Sequence, residues 1–277
     1  NYDFSYVDGT LTVNKKDLYV TIKDHHITYG DAPSNEGFDF EGFAFDEDEN
    51  DLSGEVEVLY IDYDITNPSQ RNAGIYIIAF LVGFESENYN IYNTVGFLYV
   101  DKKDLTITAS DAEITYGDAA TNSGVVYDGF VYSETETVLG GTLDYIYSYD
   151  QTLEAKRGVG DYTITPYGYT SDNYNLIYVD GTLTVNKALL TVTVNDHDIT
   201  YGDEASNNGV TITGYKYDDD ETDLDLSNVS YTYPDYDTSN KLTRKVGDYT
   251  IKVSGYDAIN YDFSYVDGTL TVNKKDL

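Results

Sequence analysis

The acidic stretch DEDENDLSGEVE, residues 46–57, carries side chains that could bind a hard cation. Four of them stand at the first, third, fifth and twelfth places of an EF-hand calcium loop, which are Asp46, Asp48, Asn50 and Glu57. Asp51 occupies the sixth place, where that loop needs glycine, and no helical pattern flanks the stretch. The spacing therefore leaves two alternatives open, a calcium site or a solvated acidic loop.

A second acidic run, DDDETD, begins with three consecutive aspartates, Asp218, Asp219 and Asp220. It has no acidic residue at the matching twelfth place. Oxygen ligands of this kind suit calcium, so calcium is the one cofactor that the sequence indicates, and none is required.

The sequence contains no recognisable catalytic motif. The three histidines, His25, His26 and His197, have no nucleophile motif near them, and there is no cysteine and no glycine-rich phosphate loop. We therefore predict that the chain is not an enzyme. Its formal net charge of -34 repels nucleic acids and anionic membrane surfaces, and no run of eighteen apolar residues suggests direct membrane insertion.

Internal repetition organises the chain. The motif ITYGD occurs three times, with its tyrosine at Tyr29, Tyr116 and Tyr201, and the first eighteen residues are identical to residues 260–277. The period of about 86 residues suits a small autonomous domain. We predict three repeats, at residues 15–101, 102–186 and 187–273. Residues 1–14 are then the tail of a preceding repeat, and residues 274–277 are the start of a following one. The identical ends indicate a longer array.

Strand patterns fill each repeat. The segment GTLTV alternates apolar and polar residues, as a half-buried strand does. In each repeat the alternation reverses once, at Asp24, Asp111 and Asp196, which predicts a turn or bulge. The fold class is therefore all-β, as a tandem array of three small domains that are sandwich-like or β-grasp-like. Because no flexible linker separates the repeats, we expect them to lie end to end as a rod.

One strand of the first repeat is apolar on both faces. Its second face carries Ile75, Ile77, Ala79 and Leu81, where the other repeats have polar residues such as Thr163 and Thr250. Such a strand is normally buried on both sides. Two alternatives follow: loops of the same repeat cover this face, or it is an interface for a neighbouring copy or a protein partner.

The combination and order of several motifs resembles a known bacterial repeat, the MBG domain of the YGX type. The match rests on ITYGDA, on GFVYSETETVLGGTLDY and on VGDYTITPYGYTSDNYNLIYVDGTLTVNKA, and the third repeat continues it with KVGDYTIKVSGYDAINYDFSYVDGTLTVNK. The resemblance implies tandem modules of large secreted or surface-anchored adhesin-like proteins, and therefore an extracellular, cell-surface location.

Two functions remain open at this stage. The repeats could be a structural stalk or spacer that projects a binding domain. Alternatively, they could themselves bind host or microbial glycans or proteins, or self-associate into fibres. The 31 tyrosines suit a glycan-binding surface, but tyrosine is also a favoured strand residue, and the tyrosines of YGD and NY recur in every repeat. These recurrent tyrosines are therefore expected to define the fold.

Overall fold

The computed structural model describes residues 1–276, and strands make up most of its regular structure. The first repeat contains β1 (Lys16–Ile22), β2 (His25–Thr28), β3 (Phe38–Glu41), β4 (Glu57–Ile61), β5 (Gly74–Val82), β6 (Tyr89–Thr94) and β7 (Gly96–Asp101). The second contains β8 (Lys103–Ala109), β9 (Ala112–Thr115), β10 (Val125–Asp128), β11 (Gly140–Tyr147), β12 (Gly160–Thr170), β13 (Tyr174–Val179) and β14 (Gly181–Asn186). The third contains β15 (Ala188–Val194), β16 (His197–Thr200), β17 (Val210–Thr213), β18 (Ser230–Thr232), β19 (Gly247–Ser254), β20 (Tyr261–Val266) and β21 (Gly268–Asn273).

Each repeat forms one three-stranded and one four-stranded sheet. The three-stranded sheets have the orders β3-β1-β6, β10-β8-β13 and β17-β15-β20. The four-stranded sheets have the orders β2-β7-β5-β4, β9-β14-β12-β11 and β16-β21-β19-β18. The all-β prediction is thus confirmed, and two sheets per repeat correspond to the sandwich-like alternative. Residues 1–276 contain four single 3-10 turns, at Glu49–Asp51, Glu136–Val138, Glu154–Lys156 and Glu221–Asp223, and no longer helix.

The reversed alternation at Asp24 marks the point where the chain changes sheet. Strand β1 belongs to the three-stranded sheet, and β2 begins three residues later in the four-stranded one. Between them, Asp24 Oδ1 accepts a hydrogen bond of 2.9 Å from the backbone N–H of Phe97. Asp196 accepts one of 2.7 Å from Thr269 in the third repeat. The aspartate therefore fixes the crossing by bonding a strand that lies 73 residues further on.

Alternating burial shows where the core lies. In β1, Leu18, Val20 and Ile22 are buried, whereas Tyr19 between them is exposed. In the third repeat, side chains of β15 on one sheet pack with Ile251 and Leu270 on the other sheet to form the core. Both sheets thus bury one face, as the period-two pattern requires.

Two identical segments adopt different structures. Residues 261–273 form β20 and β21, and Tyr261 and Leu270 are buried there. The same letters at residues 2–14 form no strand, and Tyr2 and Leu11 are almost fully exposed. The difference follows strand pairing: β20 pairs with β15, and β21 with β16 and β19, whereas residues 2–14 pair with no strand among the described residues.

Contacts divide the chain into two compact units. One comprises residues 1–106, 127–142 and 169–177, and it holds the whole first repeat with part of the second. The other comprises residues 107–126, 143–168 and 178 onward, and it holds the rest of the second repeat with the third. Each unit therefore contains parts of two successive repeats.

The glycine that opens the GTLTV strand provides a test of this account. A Cβ at Gly268 would lie 2.7 Å from the backbone oxygen of Val194, whereas no described atom lies within 4 Å of one at Gly9. We expect Gly268→Ala to lower the free energy of unfolding by about 1–3 kcal/mol, because the backbone must move to admit the methyl group. Urea denaturation measures this.

Gly9→Ala is the matched control, since it changes the same letter of the same sequence in the exposed copy. It should alter stability by less than about 0.5 kcal/mol. Equal effects of the two substitutions would show that the close approach of Gly268 to Val194 does not require glycine.

Candidate functional site

Three of the seven carboxylates that the sequence suggests for calcium, Asp48, Asp51 and Asp220, form local turns. Asp48 caps the 3-10 turn Glu49–Asp51: its Oδ1 accepts the N–H of Asn50 at 2.8 Å, and Asp51 bonds back to the N–H of Asp48 at 2.9 Å. Asp220 caps the turn Glu221–Asp223 in the same way. Asp46, Glu57 and Asp218 are exposed. Within residues 1–276 no three His, Asp or Glu side chains converge as a metal site needs, and the calcium interpretation stays a prediction.

Asp219 is different from its neighbours because its carboxylate is largely enclosed. Its Oδ2 accepts hydrogen bonds from the hydroxyls of Tyr116 at 2.9 Å and Tyr261 at 2.6 Å. Arg157 lies opposite, with Nη2 at 4.0 Å from Oδ1. Tyr116 and Arg157 belong to the second repeat, while Asp219 and Tyr261 belong to the third. The carboxylate therefore collects its donors from two successive repeats. We call these residues, with Tyr217, the second joint.

The equivalent place between the first and second repeats is occupied by Glu134. Its Oε1 accepts the hydroxyl of Tyr29 at 2.8 Å and Nη2 of Arg71 at 3.2 Å, and its Oε2 accepts the hydroxyl of Tyr174 at 2.6 Å. The longer side chain of glutamate brings its oxygen closer to the arginine than Asp219 does. We call these residues, with Tyr132, the first joint. Each joint lies within one of the two compact units.

The arginine of each joint also covers an aromatic ring of the following repeat. The guanidinium carbon of Arg71 lies 3.6 Å from the ring centroid of Tyr132, and that of Arg157 lies 4.1 Å from the ring of Tyr217. Both distances are within the range of cation–π attraction, which strengthens where water is excluded. Tyr132 and Tyr217 have positive φ angles of 55° and 53°, and this backbone conformation presents their rings to the arginines.

Each NY motif adds two contacts to its joint. The hydroxyl of Tyr174 accepts the N–H of Val131 at 3.1 Å, and that of Tyr261 accepts the N–H of Lys216 at 2.8 Å. These bonds orient the hydroxyl so that its proton points at the carboxylate. Asn173 Oδ1 accepts the N–H of Ala73 across the first joint at 2.9 Å. Asn260 accepts that of Val159 across the second joint at 3.1 Å.

The glycine of YGD lets the following repeat approach closely. Gly30 and Gly117 have φ angles of 108° and 102°, which other residues rarely adopt. A Cβ on Gly30 would lie 2.8 Å from the side chain of Val131, and one on Gly117 would lie 2.6 Å from that of Lys216. A side chain here would therefore strain the backbone and push the repeats apart.

A single residue connects successive repeats. Lys102 separates β7 from β8, and Lys187 separates β14 from β15. Each lysine ammonium bonds a carbonyl in the loop before the NY motif of its own repeat: Lys102 bonds Ser171 at 2.8 Å, and Lys187 bonds Ala258 at 3.0 Å. The connection is therefore short and held at its lysine.

Burial and the acidic partners change the titration of the joint tyrosines. Burial, with the hydrogen bond to Glu134, raises the pKa of Tyr29 from 10.0 to about 12. Burial and Asp219 raise the pKa of Tyr116 to about 12 in the same way. The pKa values of Tyr174 and Tyr261 are also raised, mainly by burial. The joints therefore need their phenols protonated.

The apolar stripe of the first repeat is exposed. Ile75 is 66% exposed, Ile77 40% and Leu81 61%, while Ala79 is partly buried. The alternative in which loops of the same repeat cover these side chains is therefore wrong. Neighbouring strands extend the stripe, because Ile77 pairs with Ile61 of β4 and Phe97 of β7, which are both exposed. Whether the stripe is an interface stays a prediction.

The histidines lie at the starts of strands. His25 lies near Ser34 and Glu36: the hydroxyl of Ser34 donates to Glu36 at 2.9 Å, and Nδ1 of His25 is 3.2 Å from the same carboxylate. In the third repeat His197 contacts Ser206 at 2.9 Å, where Asn208 stands in place of the acid. The shared histidine–serine contact holds the loop after β2 or β16, and in the first repeat the serine hydroxyl donates to Glu36.

Sequence analysis placed the joint tyrosines in the fold but missed their partners. The chain has three arginines, Arg71, Arg157 and Arg244, and each stands three residues before the glycine that opens the GIY or GDY strand. One arginine at the same place of every repeat, in so acidic a chain, was the available signal. Asp219 was assigned to calcium because it lies in an acidic run.

Comparison with known proteins supports the repeat organisation. The family model for the MBG domain (YGX type) matches residues 105–184 and 190–271, which together make up more than half of the chain. No curated protein matches the chain in sequence. No helix in the described part of the chain has the length and apolar composition needed to cross a bilayer.

Solved structures match only weakly. Drosophila N-cadherin EC1-4 aligns over 95% of this chain and 76% of its own, at 10% identity and a TM-score of 0.28. The three N-terminal domains of the outer capsid protein Hoc of bacteriophage RB49 align over 81% of this chain and 100% of their own, at 10% identity and a TM-score of 0.23. Scores this low carry no argument about fold or function.

The three arginines provide a test of the joints. We expect Arg71→Ala and Arg157→Ala each to lower the melting temperature, because each leaves an enclosed carboxylate without its cation. Differential scanning calorimetry measures this. Arg244→Ala is the matched control: its guanidinium donates to Thr238 O at 3.0 Å within the same repeat, so the change should be much smaller. Three equal effects would contradict the account.

The raised phenol pKa values predict how joint stability depends on pH. Between pH 10 and 12 the unfolded chain loses the Tyr116 proton while the folded chain keeps it, so the contribution of Tyr116 is complete below pH 10 and is lost as pH rises toward 12. We expect Tyr116→Phe to be less stable than wild type at pH 8 and the difference to shrink above pH 10. Urea unfolding at several pH values measures it.

Tyr2→Phe controls for the loss of a hydroxyl, since Tyr2 is exposed outside any strand. Its stability should follow that of wild type at every pH. If the difference between wild type and Tyr116→Phe stays constant up to pH 11.5, the joint does not depend on the protonated phenol.

Proposed function

The chain belongs to the MBG domain family of the YGX type, and on this basis we propose that it is a stalk or spacer segment of a large secreted or surface-anchored bacterial adhesin-like protein. Its role in this proposal is mechanical: it holds a binding domain away from the cell surface. The joints between successive repeats are the observation that carries the proposal, because a spacer must keep its modules in fixed order and limit their bending.

The connections support such a role. One residue links β7 to β8 and β14 to β15, so there is no length of chain that could act as a flexible hinge. At each connection the following repeat also contacts the preceding one through a carboxylate, two tyrosines and an arginine. Bending at a joint would separate these groups, and the enclosed carboxylate would then lose donors that water does not immediately replace.

Net charge supports the same role. A chain with a formal charge of -34 repels itself, which opposes collapse of one repeat onto another and keeps the protein dispersed. Two of the three arginines, Arg71 and Arg157, each contact a carboxylate and an aromatic ring at a joint. Repulsion between the acidic repeats, together with attraction at the joints, favours an ordered series of repeats over a collapsed chain.

Small-angle X-ray scattering tests the proposal. We expect the profile of an extended, semi-rigid particle, with a largest dimension on the order of 100 Å for three repeats of strand length about 30 Å each. Asp219→Ala should add flexibility without unfolding the repeats, and Asp218→Ala, which changes an exposed neighbour, is its control. A compact wild-type particle, or freely jointed domains, would exclude a spacer role.

The exposed stripe favours a second function, lateral self-association. Ile75, Ile77 and Leu81 are exposed apolar side chains of one strand, and Ile77 pairs with the exposed Ile61 and Phe97 on the neighbouring strands. A surface of this kind suits another apolar protein surface better than a sugar, because it offers few groups that hydrogen-bond hydroxyls. The partner in this proposal is the same stripe of a second copy, as in a fibre or bundle of stalks.

Ile77→Asp tests this second function. Because Ile77 is 40% exposed, we expect the variant to fold and to lose concentration-dependent association in sedimentation velocity at high salt, where the repulsion of the acidic chain is screened. Thr163→Asp, at the same place in the second repeat, is the control and should leave association unchanged. Wild-type protein that stays monomeric at high salt would rule out lateral association.

A further inference from the structure

We propose that the third and first repeats carry the two halves of one more joint, which closes when a second copy of this chain follows the first in one polypeptide. In that arrangement Tyr201 and Arg244 of one copy bind Glu47 and Phe45 of the next. This inference rests on the contacts of the two observed joints and does not depend on the spacer function.

The third repeat carries the same half of a joint with which the first repeat contacts the second, and the second contacts the third. Tyr201 stands at the place of Tyr29 and Tyr116 in the YGD motif, yet it is 42% exposed while they are 1% and 2% exposed. Gly202 has the same φ of 102° as Gly117. No described atom lies within 4 Å of a Cβ built there, whereas a residue of the next repeat fills that space at both observed joints.

Arg244 completes this half. It occupies the place of Arg71 and Arg157 and lies with Tyr201 and Tyr236 around an open cleft. The backbone N–H of Val246 stands where those of Ala73 and Val159 donate to an asparagine oxygen of the next repeat. The groups that face the next repeat at the observed joints are thus all present in the third.

The first repeat presents the complementary half. Phe45 has a positive φ of 56°, as Tyr132 and Tyr217 do, and its ring is 98% exposed. The hydroxyl of Tyr89 donates to Glu47 and accepts the N–H of Ala44 at 2.8 Å, which repeats the arrangement around Glu134 and Asp219. The acceptor carboxylate and the aromatic ring are therefore already oriented.

The two halves fit chemically. Glu47 has the length of Glu134, so it can accept both the hydroxyl of Tyr201 and the guanidinium of Arg244. Phe45 gives that guanidinium a ring to cover and lacks only a hydroxyl. The hydroxyl of Tyr236, which the ring would approach, already donates to the carbonyl of Asp203 at 3.1 Å, so this hydroxyl does not need one from Phe45.

Sequence identity supplies the register. Residues 260–277 are the same letters as residues 1–18, so the end of one copy can serve as the beginning of the next. The connecting residue is then Lys274, which equals Lys15 and stands where Lys102 and Lys187 link the observed pairs. The occupant of both half joints is therefore a second copy in tandem.

A fusion of two complete copies that share these eighteen residues once tests the proposal. Arg244→Ala is made in the single chain and in the first copy of the fusion, and both are followed by scanning calorimetry. We expect the substitution to change the melting temperature little in the single chain. In the fusion it should lower the transition of the adjoining repeats about as much as Arg157→Ala does.

Charge exchange gives a second measurement that does not depend on alanine variants folding well. In the fusion, Arg244→Glu in the first copy and Glu47→Arg in the second should each destabilise, and together they should restore at least half of the lost melting temperature. Equal effects of Arg244→Ala in single chain and fusion would overturn the proposal. So would the absence of rescue in the double variant.

Discussion

An enclosed carboxylate that must collect donors from two repeats is the interaction on which the rest of this structure depends. Glu134 and Asp219 each receive one tyrosine hydroxyl from their own repeat and a second one, with an arginine nearby, from the preceding repeat. A charge removed from water is costly unless it is hydrogen-bonded and paired. Because one repeat alone supplies only some of the donors, the carboxylate is satisfied only when two repeats meet in one orientation.

This constraint explains several features of the composition. Tyrosine is the side chain that can pack as an apolar ring and still deliver a hydroxyl at its end, which is what Tyr29 and Tyr174 do on either side of Glu134. These two rings make an edge-to-face contact with centroids 5.4 Å apart, and the Glu134 side chain beside them is only 12% exposed. In a chain with 50 acidic residues, Arg71 and Arg157 lie beside two carboxylates that are only 12% and 13% exposed, where an ion pair is screened less than at the surface.

The fold was predictable from sequence wherever its cause is local. The alternation in GTLTV and the repeated ITYGD indicated strands and period, because both depend on neighbouring residues. The two copies of one eighteen-residue string show the limit: Leu11 is exposed and Leu270 is buried, although their neighbours in sequence are identical. The strand that holds Leu270 needs β16 and β19 as partners, and those partners are decided by topology.

The joints were hidden from sequence analysis for the same reason. Tyr29 and Glu134 are 105 residues apart, and neither lies in a motif that signals chemistry by its spacing. Asp219 was grouped with Asp218 and Asp220 because all three are adjacent in sequence. The backbone separates their roles: Asp220 caps a turn, Asp218 faces solvent, and Asp219 points into the joint between Tyr116 and Tyr261.

The two faces of a joint differ chemically, and this determines what kind of assembly the repeats can form. One face offers a tyrosine, a glycine and an arginine, and the other offers an aromatic ring, a carboxylate and an asparagine. A repeat cannot therefore pair with another through the same face, as a twofold dimer requires. Contacts between unlike faces are heterologous, so each repeat can bind one predecessor and one successor, and the same contact can recur from repeat to repeat. The single residue that links successive repeats then determines which repeat follows which.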